Sequence, residues 1–220
     1  MDKCIYLSHF LDEETPGYGG VKSFEVKHVS EISKGATSNS QQWIFTNHVG
    51  THVDLPSHFD NLGKRLNEFE AADWIFSHPY LINLKVTENQ ILEPSVEFES
   101  IPLDCDLLLL KTRFQQYRNT ATYWSSGPGL SPDLAKWIRG HRPNIKAIGF
   151  DFISITSFSD RPLGRVAHRE FLGTQGQGSP LRVIEDMKLD LLLESPNRVV
   201  IAPILVKNTD GAPVTVFAEV

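Results

Sequence analysis

The chain has 220 residues, of which 40% are hydrophobic and 22% charged, a balance that suits one globular domain with a sizeable core. Its formal net charge of −6 argues against a basic face for nucleic acid or an anionic membrane surface. No run approaches the roughly 18 apolar residues of a membrane span, and Met1 to Leu7 lack an apolar core followed by a small-residue cleavage site, so a cytoplasmic setting is expected.

Strand-like segments dominate the chain, at 3–7, 21–29, 42–47, 80–86, 105–111, 145–150, 198–206 and 214–220. They are rich in Val, Ile, Phe and Leu and bounded by Gly, Pro, Asn or Asp. The near-continuous apolar runs at 107–110 and 199–201 suit strands covered on both faces. Cys4 and Cys105 fall in such runs and read as two buried free thiols. A helix is expected over 132–139, with Ser131 as N-cap, Pro132 in the first helical position and Gly140 beyond the end. Leu134, Trp137 and Ile138 share one side of it and face the core. A shorter helix is expected over 165–172. No repeat or linker divides the chain, so residues 1–220 read as a single α/β domain, strand-rich, with a few helices packed on the sheet.

One segment concentrates metal-binding chemistry. His48-Val49-Gly50-Thr51-His52-Val53-Asp54-Leu55-Pro56-Ser57-His58 holds three of the eight histidines and an aspartate. Imidazole nitrogen and carboxylate oxygen are the mixed donors of catalytic zinc and its neighbours. On a flat strand His48 and His52 would stand roughly 13 Å apart, too far for a shared ion. Gly50, the β-branched Val49, Thr51 and Val53, and Pro56 argue against a helix. An extended segment bent at Gly50 satisfies both constraints, because a residue without Cβ admits unusual dihedrals. His52 and Asp54 then share a face and His48 folds back towards them.

The string His48-x-Gly50-Thr51-His52-x-Asp54-x-Pro56-x-His58 resembles the signature of the cyclase-like metal hydrolases, which include bacterial kynurenine formamidases and isatin hydrolases. Leu7-Ser8-His9 before Asp12 to Gly20, the stretch from Cys105 to Thr112 before Pro128-Gly129-Leu130-Ser131, and Ile148-Gly149-Phe150-Asp151 with Ser154 resemble further family segments in the same order. The resemblance implies a swivelling β/β/α fold and further ligands in His168 and Glu185, with Glu170 and Asp186 as competing carboxylates. His48, His52, Asp54, His168 and Glu185 exceed the needs of one open zinc site. They suit one or two divalent ions, Zn2+ first and Mn2+ as the alternative because oxygen donors are numerous.

The implied reaction is cleavage of an amide-type C–N bond, in an N-formyl aryl amide or a cyclic amide. The nucleophile is metal-activated hydroxide and His58 is the general acid and base, with a role for His58 as a further ligand left open. A lactone or ester hydrolase of the same family and a catalytically silent metal-binding protein are the alternatives; no Gly-x-Ser-x-Gly elbow supports a serine hydrolase. Tyr18 stands where kynurenine formamidases carry a substrate-contacting tryptophan. Arg113, where many relatives have Gly, is expected to bring a guanidinium near the pocket, and Phe59 to line it. Expected partners are a small-molecule substrate and copies of the chain itself, as a homodimer or larger homo-oligomer, with neither nucleic acid nor membrane.

Overall fold

The run Leu107-Leu108-Leu109-Leu110 is wholly buried, and its alternate residues enter different cores. Side chains of a strand point alternately to its two faces, so this strand needs cover on both. The computed structural model describes residues 3–220. In chain order its elements are β1 (Cys4–Tyr6), β2 (Phe24–Ser30), β3 (Ser40–Phe45), β4 (His52–Asp54), β5 (Ile75–Phe76), β6 (Pro79–Asn83), β7 (Ile91–Leu92), α1 (Val96–Glu99), β8 (Leu107–Lys111), α2 (Ala121–Ser125), β9 (Gly129–Leu130), α3 (Pro132–His141), β10 (Ala147–Phe150), α4 (Arg161–Leu172), β11 (Arg182–Glu185), β12 (Arg198–Pro203) and β13 (Gly211–Glu219).

One sheet runs β5-β12-β13-β4-β11-β10-β8-β6, with β1 added to β13. From β6 through β8 and β10 to β11 the neighbours are parallel. From β11 through β4, β13 and β12 to β5 they are antiparallel. The seam between the two halves is the β11–β4 pair. Helices α3 and α4 cover one face, where Leu134, Ile138, Ala167 and Phe171 join Leu108, Leu110, Ile148 and Phe150. On the other face, Leu107, Leu109 and Ile184 share a core with Val199, Ile201, Val214 and Val216 of the antiparallel half, so the sheet curls over itself.

The mixed α/β, strand-rich architecture expected from the sequence is therefore the one found, and each of the eight expected strands has a counterpart. Ser131 caps α3 by accepting from the Leu134 amide at 3.0 Å, but the helix runs through Gly140 to His141 rather than ending before it. Helix α4 begins at Arg161, four residues earlier than expected, where the Asp160 carboxylate accepts from the Leu163 amide. Cys4 is exposed rather than buried, because β1 alternates and turns only Ile5 inward. Strand β11 escaped the sequence reading altogether. Among the described residues, no helix is long and apolar enough to cross a membrane.

Candidate metal centre and cleft

The seam of the sheet positions the site. In β4, His52 lies opposite Glu185 of β11 on one side and Pro213 of β13 on the other. Asp54 is two residues along and so shares the face of His52, while Val53 between them enters the core. The bend expected before this strand is present: Gly50 has φ 59°, and a Cβ there would run into the Leu11 side chain. Gly211 of β13 pairs with Asp54, and a Cβ at that position would lie 2.5 Å from Cε1 of His48. These two glycines let the His48 and His52 rings come to 5.3 Å between centroids. His168 arrives from α4, buried, with Phe59 stacked on its ring at 4.5 Å.

The donor atoms converge. His52 Nε2 stands 3.4 Å from Asp54 Oδ1 and 3.4 Å from Glu185 Oε2. His168 Nε2 stands 3.7 Å from Asp54 Oδ2 and 3.7 Å from Glu185 Oε1. Donors around a tetrahedral ion with bonds of about 2.1 Å lie about 3.4 Å from one another; His52, Asp54 and Glu185 form a group close enough to share one ion, and His168 faces the other oxygens of the same two carboxylates. The tautomers fit as well. His52 Nδ1 donates to the Gly50 carbonyl at 2.8 Å and His168 Nδ1 to the Gly164 carbonyl at 2.9 Å. Each neutral ring is thereby left with a lone pair on Nε2, the arrangement by which outer partners orient a metal-binding imidazole. Two such lone pairs facing two buried carboxylates have no hydrogen to share, so the cluster takes up either protons or a cation.

Protons show the same demand. Burial opposes the charged form of His52, but hydrogen bonds to Asp54 and Glu185 and their charge overcome it and hold its pKa well above 6.5. Burial likewise pushes Asp54 upward, yet His48 and His52 hold it well below the usual carboxylate range. Glu185 is lowered too: burial and the Asp54 charge oppose ionisation, and His168 and His52 outweigh them. The Ile155 amide fixes Glu185 Oε1 at 2.8 Å.

Asp54 belongs to two groups of possible ligands, one with His52 and Glu185 and one with His48 and His58. His48 Nδ1 donates to Asp54 Oδ1 at 2.7 Å. His58, on the short turn that Pro56 opens, donates from Nδ1 to Asp210 Oδ2 at 2.7 Å, and its ring lies 4.1 Å from that of His48. Asp210 also stands 3.3 Å from His48 Nε2. Sequence reasoning missed Asp210, because an Asp-Gly pair before a strand reads as a turn.

Of the rival carboxylates, Asp186 borders the cleft but is engaged, and Glu170 lies away from it. Asp186, at φ 52°, is taken by a bidentate Arg118 and accepts from the Tyr123 hydroxyl at 2.5 Å. Glu170 is not among the residues around the cleft. The cleft itself holds about 300 Å³ and is walled by Tyr18, Phe59, Ile153, Arg161 and Arg165, with His52, Asp54, His168 and Glu185 at its base. Arg113 does not reach it. Its backbone sits at φ 64°, a conformation that favours Gly, and its amide donates to Asp151.

The Cyclase family model matches residues 5–157. The chain belongs to the Cyclase family. A kynurenine formamidase of Geobacillus thermodenitrificans is 26% identical over 215 residues, covering 97% of this chain and 96% of that protein. Cyclase-like protein 1 of Arabidopsis thaliana is 26% identical over 219 residues, covering 96% and 82%. Among solved structures, isatin hydrolase A from Ralstonia solanacearum superposes with a TM-score of 0.81 at 17% identity, over 99% of this Cyclase chain and 92% of the other.

Proposed function

We propose that this Cyclase-family chain is a metal-dependent hydrolase of an amide-type C–N bond in a small molecule, an N-formyl aryl amide or a cyclic amide. The observation that carries the reading is the convergence of two buried imidazole Nε2 atoms on two buried carboxylates at one end of a cleft. The names of the kynurenine formamidase and isatin hydrolase relatives support the bond class. His52, Asp54 and Glu185, with His168 facing the same carboxylates, would hold a divalent ion, and His48 beside Asp54 would be the further ligand for a second. Zn2+ is the proposed metal and Mn2+ the alternative. When bound, such an ion polarises a carbonyl oxygen and brings the pKa of a water to about 7.

The chain's own groups do the rest. Asp210 engages Nδ1 of His58, so Nε2 is the nitrogen free to take a proton from water and return it to the departing nitrogen. Tyr18 and Phe59 offer aromatic walls to a planar substrate. The test combines elemental analysis per chain with turnover of formanilides and cyclic amides. Wild type is expected to hold stoichiometric transition metal and to hydrolyse at least one of these. His58→Ala is expected to keep its metal and lose about 10²–10⁴ in kcat, and Asp54→Ala to lose both metal and activity. Wild type without stoichiometric metal overturns the reading, and a His58→Ala protein that loses metal makes His58 a ligand.

A further inference from the structure

Beside the donor cluster sit three ionisable side chains that take no part in the chemistry above: Asp186 and Tyr123, both buried, and the partly buried Arg118. Asp186 directly follows Glu185, and every polar atom it has is engaged. Its Oδ1 accepts from Arg118 Nε at 2.9 Å and from the Tyr123 hydroxyl at 2.5 Å, and its Oδ2 accepts from Arg118 Nη2 at 2.7 Å. Its amide donates to the Phe152 carbonyl at 3.0 Å, and its carbonyl accepts from the Thr51 hydroxyl at 2.6 Å.

This last bond falls at a break in the sheet. The β4–β11 ladder stops at His52 opposite Glu185, and the next rung would pair Thr51 with Asp186. Asp186 instead turns away at φ 52°, a left-handed conformation rare outside Gly, Asn and Asp. Such a backbone persists only where its surroundings over-determine it, as these contacts do. The Thr51 hydroxyl replaces the missing rung, and its oxygen also accepts from the His9 amide at 3.0 Å. The residue before one ligand is thereby tied to the residue after another.

Charge alone gives Arg118 the opposite task. A guanidinium near a cation site repels the cation, so by Coulomb's law Arg118 opposes metal binding. Its bidentate grip on Asp186 also uses up the one further carboxylate that borders the cleft beside Glu185.

We infer that Asp186, braced by Arg118 and Tyr123 and tied to Thr51, is a positioning clamp that sets the separation of His52 and Glu185 and so the affinity of the centre for its ion. The role presupposes the metal centre proposed above. The clamp acts through the backbone next to the two ligands, not as a ligand itself.

Affinity for Zn2+ is measured on the full chain by competition with a chromophoric chelator, with no substrate present. Thermal melts of chelated protein report folding alongside. Arg118→Gln is expected to bind Zn2+ about 10- to 100-fold more weakly, the range for outer partners of metal ligands. Electrostatics alone predicts the reverse sign, so unchanged or tighter binding overturns the inference. Asp186→Gly admits the left-handed φ freely but leaves Arg118 and Tyr123 unmatched. A similar loss is expected from it, and wild-type affinity would reduce Asp186 to its φ and overturn the clamp. Thr51→Val deletes one hydroxyl without changing charge. About a tenfold loss is expected there, recovered in Thr51→Ser; wild-type affinity in Thr51→Val overturns the link across the seam. Should Arg118→Gln or Asp186→Gly fail to fold, the two Thr51 variants decide. Lower melts of chelated protein with unchanged affinity in the folded fraction mark a merely structural role and also overturn the clamp. Wild type that binds no Zn2+ removes the metal centre and the clamp with it. Wild type that binds Zn2+ but cleaves no amide counts against the hydrolase reading alone and leaves the affinity series decisive.

Discussion

In the proposed mechanism His58 takes up and returns a proton at one ring nitrogen, and Asp210 selects which nitrogen that is. The 2.7 Å bond at Nδ1 fixes both the tautomer and the ring plane. Asp210→Asn is therefore expected to lower kcat about 10- to 100-fold, with metal content kept and KM little changed. Combined with His58→Ala it should cost nothing further, since residues acting as one unit are not additive. Steady-state kinetics on the two singles and the double decide this, and additive losses refute it. His48, His52, Asp54 and His58 were legible because they crowd into eleven positions. Asp210 was not, since it meets His58 only when β13 pairs with β4. Arg161 and Arg165 were hidden likewise, as two of many surface arginines until α4 was seen to run out from His168.

The two strands at the seam differ in how openly the sequence announces them. The bend at Gly50 followed from the conflict between a 13 Å span on a flat strand, at about 3.3 Å per residue, and a shared ion. Gly50→Ala is expected to cost about 1–3 kcal/mol, because it combines a left-handed φ with a clash into Leu11. Thermal melts of the variant, together with reduced metal per chain, check this; an unchanged melt denies the constraint. Strand β11 was overlooked because its four wholly buried residues begin with Arg182 and end with Glu185, and charged residues seldom occupy such positions. Each has a reason to be there. Arg182 lies over the rings of Trp74 and Phe76, both at 5.2 Å, and Glu185 faces the metal donors.

At the scale of the whole molecule, the donor cluster couples stability to pH. In chelated protein His52 and His168 have pKa values raised above 6.5, so their stabilisation is complete below that value and disappears as pH climbs through the folded values. Asp54 and Glu185 are depressed below 3.8 and 4.5, and their contribution disappears in acid instead. Chelated protein is thus expected to melt highest at mildly acidic pH and progressively lower above neutrality, while metal-loaded protein holds its melting temperature there. Melts with and without chelator across about pH 5 to 9 settle it, and a chelated protein that grows more stable with rising pH refutes it. A second expectation concerns the β2–β3 hairpin, whose Phe24, Val26, Trp43 and Phe45 share one face over a groove of about 450 Å³ with Tyr6 and Phe10. Phe10 is 84% exposed and Trp43 62%. A two-stranded hairpin is marginal by itself in water, and aromatics at roughly 200 Å² each supply a large part of the ~800 Å² a stable dimer needs per partner. We propose that a second copy of the chain covers this face. Light scattering should then give at least twice 24.8 kDa, and Trp43→Glu should shift it towards the monomer; a monomeric wild type disproves it.

His52 and Glu185 touch across the seam but stand roughly 130 residues apart along the chain, so an ion held by both acts as a removable crosslink closing a very long loop. The two cysteines are unpaired and supply no such tie. With an ion bound as proposed, free metal in the surroundings would set how firmly the parallel and antiparallel halves are sewn together, and occupancy of the centre and resistance to unraveling would be two readings of one equilibrium.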